Sequence, residues 1–163
     1  KDPDLLSPLF FGGGQESGLR PGTPNIPYIV ALGKACEIAH RTLLEESKRQ
    51  IRLRDELHHL LSVGVPGLVR HGLPEKTLPN TLSLRFPHAY GTDVLSHAPD
   101  IASSTGSACH DDQHHPSSVI LAMGVPPDQA LGTVRISLGR HTQNKDIHVA
   151  AKALIQAWNQ VKR

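Results

Sequence analysis

The stretch Ser103-Ser104-Thr105-Gly106-Ser107-Ala108-Cys109-His110, followed by Asp111-Asp112-Gln113-His114-His115-Pro116, decides how the chain is read. Small side chains at Thr105, Gly106, Ser107 and Ala108 leave the Cys109 sulfur uncrowded. The residues after it are too polar to bury, so they predict a surface loop. A structural cysteine usually sits among apolar neighbours and this one does not, which marks Cys109 as an accessible thiol and a candidate nucleophile. An ordinary loop cysteine is the plainer reading of the same spacing. Cys109, His110, Asp111, Asp112, His114 and His115 are also possible metal ligands. Adjacent residues rarely converge on one ion, however, and no second cluster accompanies them, so no metal site is expected. Downstream, Pro116 suits the first turn of a helix carrying Val119, Ile120 and Met123, and residues 133–138 alternate as a strand.

Three blocks of sequence carry a resemblance. The segment ending in Ser-Thr-Gly-Ser-Ala-Cys109-His110 continues into Pro116-Ser117-Ser118-Val119-Ile120-Leu121-Ala122-Met123-Gly124 and Gly132-Thr133-Val134-Arg135-Ile136-Ser137-Leu138-Gly139-Arg140. Ahead of it stand Gly12-Gly13-Gly14-Gln15-Glu16 with Arg20-Pro21-Gly22-Thr23-Pro24-Asn25, and Leu78-Pro79-Asn80-Thr81-Leu82-Ser83. In this order and spacing they resemble the C-terminal portion of the cysteine desulfurase and selenocysteine lyase family, pyridoxal-phosphate enzymes of the class V aminotransferase type. The resemblance covers nearly the whole chain. It implies an α/β fold of the fold-type I transferase kind, with the C-terminal part of a large domain followed by a small α+β C-terminal domain. Residues 1–45 would be the tail of the large cofactor-binding domain with its linking helix, and residues 46–163 the small domain carrying the cysteine loop. Because the chain opens at Lys1 without methionine and family members carry a longer N-terminal portion, it is expected to be the C-terminal piece of a larger enzyme.

The resemblance also implies roles. Cys109 would be the nucleophile that takes sulfur from L-cysteine as a persulfide, leaving L-alanine; a thiolate is the reactive form for such a step. Arg135 would hold the substrate carboxylate, since a planar guanidinium can grip it with two parallel hydrogen bonds. Arg140 competes for that role and is otherwise a structural ion-pairing residue. Thr23, after Gly22, would reach the cofactor phosphate of a neighbouring subunit in a homodimer, with helix capping as its plainer use. His110 could assist Cys109, although Asp111 and Asp112 oppose thiolate formation. The family's cofactor lysine follows a histidine, and no His-Lys pair occurs in this sequence. The covalent anchor for pyridoxal 5'-phosphate is therefore not expected here, and the chain alone is expected to be inactive. Selenocysteine lyase, acting on L-selenocysteine, is the alternative within the family. A non-catalytic interaction module is the alternative outside it. A sulfur-acceptor or scaffold protein is the expected partner.

Composition agrees with this class. Lys and Arg number 17 against 15 Asp and Glu, a balance that does not call for nucleic acid. The two cysteines, Cys36 and Cys109, lie far apart in dissimilar surroundings, which fits a reducing compartment: the cytoplasm, with the mitochondrion as alternative. No apolar run reaches a membrane span. Residues 5–11 read as a strand entering the glycine turn. From about Asn25, Ile29, Leu32, Cys36, Ala39 and Leu43 recur at helical spacing, so Cys36 reads as core packing. The charged run from Glu45 to Glu56, Arg54 included, reads as a solvated helical face ending at residues 64–66. Residues 68–70 and 81–86 read as strands, the second with Leu82, Leu84 and Phe86 inward. Residues 92–97 suggest a short helix, and Ile147, Ala151, Leu154, Trp158 and Val161 a final amphipathic one. Trp158 and Met123 read as core, and the scattered histidines, His71 among them, mostly as surface residues.

Overall fold

A computed structural model describes residues 7–106 and 115–163. The chain divides into two compact units, Lys1–Leu43 and Leu44–Arg163.

In the first unit the glycine block leads into a tight, kinked turn, Gln15–Gly18, in which Glu16 and Ser17 have φ +50° and +56°. Residues 7–11 form no strand, contrary to the strand read from the apolar run at 5–11, and Leu9, Phe10 and Phe11 are exposed. A strand needs a neighbour to satisfy its backbone groups, and among the described residues none pairs with this segment. Gly22 has φ +100°, a left-handed conformation that a side chain would strain. The long helix α1, Ile26–Gly64, starts after Asn25. The Asn25 Oδ1 accepts a 3.2 Å hydrogen bond from the Tyr28 N–H, so Asn25 rather than Thr23 supplies the cap. Pro27 falls in the first turn, where its missing N–H costs nothing. The stripe read as core here is not core: Ile29, Leu32, Cys36 and Leu43 are all exposed. Helical periodicity shows which residues share a face, and burial requires a second element against it; no described residue before Leu53 is buried.

In the second unit the remainder of α1 places Leu53, Leu57 and Leu61 on one buried face at a spacing of four. Arg54 departs from the solvated reading, being only 2% exposed. Its Nε donates to Asp55 Oδ1 at 2.9 Å and its Nη1 to the Leu78 carbonyl at 3.1 Å, while Arg70 Nη1 reaches the same Asp55 oxygen at 3.1 Å. A buried guanidinium is tolerated where its charge and donors are matched in this way. Burial alone would push the Asp55 carboxyl up, but the hydrogen bonds and charges of Arg54 and Arg70 outweigh it and hold the group below its ordinary value.

Three short strands form one antiparallel sheet in the order β1 (Val69–Arg70), β2 (Thr81–Arg85), β3 (Thr133–Ser137). In its register Leu82 faces Ile136 and Leu84 faces Val134, and these apolar pairs point into the core with Phe86. The intervening pair, Ser83 opposite Arg135, points to the other face. Helix α2, Gly91–Ser96, contributes Val94 to the core. Helices α3 (Ser118–Ala122) and α4 (Pro127–Ala130) precede β3. The last helix, α5 (Asn144–Val161), buries Ile147, Ala151, Leu154, Ala157 and Trp158. A capping box opens α5: the Gln143 N–H donates to Asp146 at 2.8 Å, which sets an acidic side chain in its first turn.

Trp158 is core as read, its indole N–H donating to the Pro87 carbonyl at 2.9 Å. Met123 is not; it follows the one buried position of α3, Ile120, and is half exposed. His71 is also misplaced by the surface reading. It is 8% exposed, with Nε2 3.2 Å from Thr133 Oγ1. Burial first, and then the nearby Arg85 charge, pushes its imidazole below the usual histidine value.

Candidate active site

Cys109 and His110 lie outside the described residues, so the site is built from what flanks them. The chain enters that stretch from Ser103-Ser104-Thr105-Gly106, and this stem is tied to β3. The Arg135 N–H donates to the Ser104 carbonyl at 2.6 Å, and the Ser104 N–H donates back to the Arg135 carbonyl at 3.2 Å. Together they make one isolated antiparallel bridge outside the named strands. The Ser103 hydroxyl adds a 2.6 Å bond to the same Arg135 carbonyl. Directly opposed residues present their side chains on one face, so Ser83, Arg135 and Ser104 form a row on the face away from the core.

The Arg135 side chain is exposed, and its guanidinium has no hydrogen-bond or ion-pair partner among the described residues. A cation without an internal carboxylate is free to take one from a ligand. Arg140, the competing position, sits in a different setting. The loop after β3 is gripped by Arg49, whose Nη1 donates to the Thr142 carbonyl at 2.6 Å and whose Nη2 donates to the Gly139 and Arg140 carbonyls at 3.2 and 3.0 Å. Arg49 is itself held by Glu46, with two hydrogen bonds of 2.6 and 2.9 Å. The Arg49 hydrogen bond is the largest cause, with help from Gln50 and the Arg140 charge, that lowers the Glu46 carboxyl to about 2. Arg140 is thus part of the electrostatic setting of an internal pair, whereas Arg135 is not.

Gly22 and Thr23 belong to the first unit and are described there. The Gly22 N–H donates to Gln15 Oε1 at 3.2 Å and its carbonyl accepts from Arg20 at 3.2 Å, which fixes the turn. Thr23 is exposed, and its hydroxyl has no partner among the described residues. It precedes by three residues the N-terminus of a 39-residue helix, where the aligned peptide dipoles favour negative charge. An anionic group would be favoured at this end of the helix. Among the described lysines, Lys34 and Lys48 pair with Glu37 and Glu45 at 2.8 Å each, and Lys162 lies over the Trp158 ring.

Of the cluster read as possible metal ligands, only His115 is described, and among the described residues no three His, Cys, Asp or Glu side chains gather. A hollow of about 490 Å³ beside Arg85, His88, Tyr90 and Gln129 includes none of the residues picked out from sequence. The Arg163 guanidinium at its edge is already stacked over Tyr90 at 4.0 Å. Among the described residues no helix is long and apolar enough to cross a membrane. Sequence reading missed two contributors, the Ser103–Ser104 stem and the Arg49 grip. Both act through backbone carbonyls, which no side-chain pattern announces.

Comparison with known proteins agrees with the motifs. Cysteine desulfurase IscS 1 of Archaeoglobus fulgidus is 40% identical over 145 residues, covering 87% of this chain and 37% of its own length. Selenocysteine lyase of Xenopus tropicalis is 40% identical over 160 residues, covering 93% of this chain and 37% of its own. The chain thus spans well under half the length of these relatives. A solved structure described as a NifS-like protein superposes with a TM-score of 0.78 at 33% identity, over 94% of this chain and 39% of that one. The profile described as Aminotransferase class-V matches residues 8–149, and with the fold and motifs above it shows that the chain belongs to the class V aminotransferase family.

Proposed function

We propose that this chain supplies the thiol and the carboxylate clamp of a pyridoxal-phosphate-dependent cysteine desulfurase, which converts L-cysteine to L-alanine and loads the sulfur onto Cys109. The observation that carries this reading is Arg135: an exposed guanidinium without an internal partner among the described residues, on a strand whose backbone is paired to Ser104, five residues before Cys109. The names of the relatives, cysteine desulfurase and selenocysteine lyase, support it. Residues 1–45 then act as the tail of the large cofactor-binding domain and its linking helix, and residues 46–163 as the small domain. Gly22 and Thr23 would hold the cofactor phosphate of the neighbouring subunit in a homodimer. The covalent lysine would come from outside this chain.

When bound, pyridoxal phosphate supplies an electron sink that weakens the carbon–sulfur bond of the amino acid joined to it. Arg135 orients that amino acid by its carboxylate. The Cys109 thiolate attacks the substrate sulfur; a sulfur–sulfur bond forms as the carbon–sulfur bond breaks, and the carbon takes a proton to become alanine. The persulfide is then passed to an acceptor protein. His110, next to Cys109 in sequence, would assist by hydrogen bonding. A reducing compartment such as the cytoplasm keeps the thiol available between turnovers.

The test is mass analysis of the cofactor-loaded enzyme after exposure to L-cysteine. Cys109 is expected to gain one sulfur atom, and Cys109→Ser to abolish both this gain and alanine formation. Arg135→Ala is expected to raise KM for the amino acid by about tenfold or more, because a two-point carboxylate contact is lost. Sulfur found on Cys36 instead of Cys109 would sink the assignment. Selenocysteine lyase is the second reading, favoured by the 40% identity to an enzyme of that name. Alanine formed from L-selenocysteine and not from L-cysteine would select it.

A further inference from the structure

We propose that Ser104 is a positioning residue: it fastens residues 103–106, the stem ahead of the cysteine segment, to the backbone of Arg135. The proposal rests on the reading of Cys109 and Arg135 just given.

The stem pairs with β3 through a backbone bridge at Ser104. Ser104 and Arg135 exchange both backbone hydrogen bonds, at 2.6 and 3.2 Å, and this bridge lies outside the named strands. The Ser103 hydroxyl makes the Arg135 carbonyl accept a second time, at 2.6 Å. The Ser104 side chain holds the backbone beyond the bridge as far as Gly106. Its hydroxyl donates to the Gly106 carbonyl at 2.7 Å and lies 3.2 Å from the Gly106 N–H, a local side-chain turn that closes over Thr105. Thr105 is in turn seated on the start of α2. A Cβ placed on Gly91 would meet the Thr105 methyl at 3.1 Å and the Thr133 carbonyl oxygen at 2.5 Å. One short run therefore contacts β3, α2 and itself, immediately before residue 107.

The consequence follows from the roles proposed. The group that holds the substrate carboxylate and the stem that delivers the attacking thiol share one anchor, the Arg135 peptide. Holding two reacting groups in register contributes to rate rather than to binding, because the contact is needed at the moment of sulfur transfer. Ser104 touches neither substrate nor cofactor and acts only through this geometry.

The experiment compares Ser104→Ala and Ser104→Thr in the cofactor-loaded enzyme, with amide hydrogen exchange read on the same proteins. Ser104→Ala is expected to lower kcat for alanine formation by about tenfold, with KM within about twofold of the parent. Exchange at the Gly106 amide is expected to quicken by a similar factor. Ser104→Thr, which retains the hydroxyl, is expected to recover both. A Ser104→Ala enzyme with unchanged kcat overturns the proposal, as does a loss that falls on KM or one that Ser104→Thr does not repair. If Cys109→Ser is inactive while Ser104→Ala is silent, only the positioning role fails. If Cys109→Ser keeps its turnover, the cysteine reading fails and takes the positioning role with it.

Discussion

Gly91 shows how closely a single side chain can be dictated. Its backbone φ is not left-handed; what excludes a larger residue is space, since a Cβ there would lie 2.5 Å from the Thr133 carbonyl oxygen. The Thr133 carbonyl belongs to a strand and cannot retreat. Gly91→Ala is therefore expected to destabilise the protein by about 1–3 kcal/mol, read as a lower urea midpoint with an unchanged slope. His71 and Arg54 teach the complementary lesson. Histidine and arginine are usually placed outside on composition alone. Here Thr133 provides a hydroxyl for the imidazole, and Asp55 with the Leu78 carbonyl provides acceptors for the guanidinium, so both side chains can be buried. The Thr133 hydroxyl and the Leu78 carbonyl lie far along the chain from the side chains they satisfy, and no local pattern contains them.

The link between α1 and the loop after β3 is made at the level of elements. Arg49 donates to three carbonyls of residues 139–142, and Glu46 holds its guanidinium in place. The Glu46 carboxyl, lowered to about 2 mainly by the Arg49 hydrogen bond, makes this link sensitive to acid. A group whose folded value is depressed adds stability in full above its unfolded value, about 4.5 here, and loses it as pH falls toward 2. Glu46→Gln is expected to cost about 1 kcal/mol at pH 7 and almost nothing at pH 2. Urea unfolding at the two pH values measures this directly, and a cost that stays constant would show that the pair contributes through packing alone. The elements themselves were legible where the apolar period was regular. The strand at 81–85 and the helix at 144–161 stand where alternation and the 3.6-residue period place them. The strand read at residues 5–11 did not form within the described residues 7–11, because apolar character without a pairing partner makes no sheet.

Across the whole molecule, the core cluster begins at Leu53 and draws only on residues of the second unit. No described residue of the first unit is buried. A chain cut to residues 44–163 is accordingly expected to fold by itself, with a single cooperative urea transition whose midpoint lies close to that of the full chain. A broad, non-cooperative transition in the shortened chain would overturn this. Motif order carried the family, and the residue types at Cys109, Arg135 and Thr23 carried the proposed chemistry. The apolar face with Ile29, Leu32 and Cys36 was legible as a face but not as exposed, since burial is a property of two surfaces and a sequence displays one. The amino-acid sequence by itself determined the helix and strand periods and the motifs that mark the class V family, because these depend on neighbours within a few residues. Tertiary structure alone decided that Arg54 and His71 are buried, that Arg49 grips the β3–α5 loop, and that Ser104 is bridged to Arg135. Each of these depends on carbonyls, hydroxyls or carboxylates that only folding brings within hydrogen-bond distance.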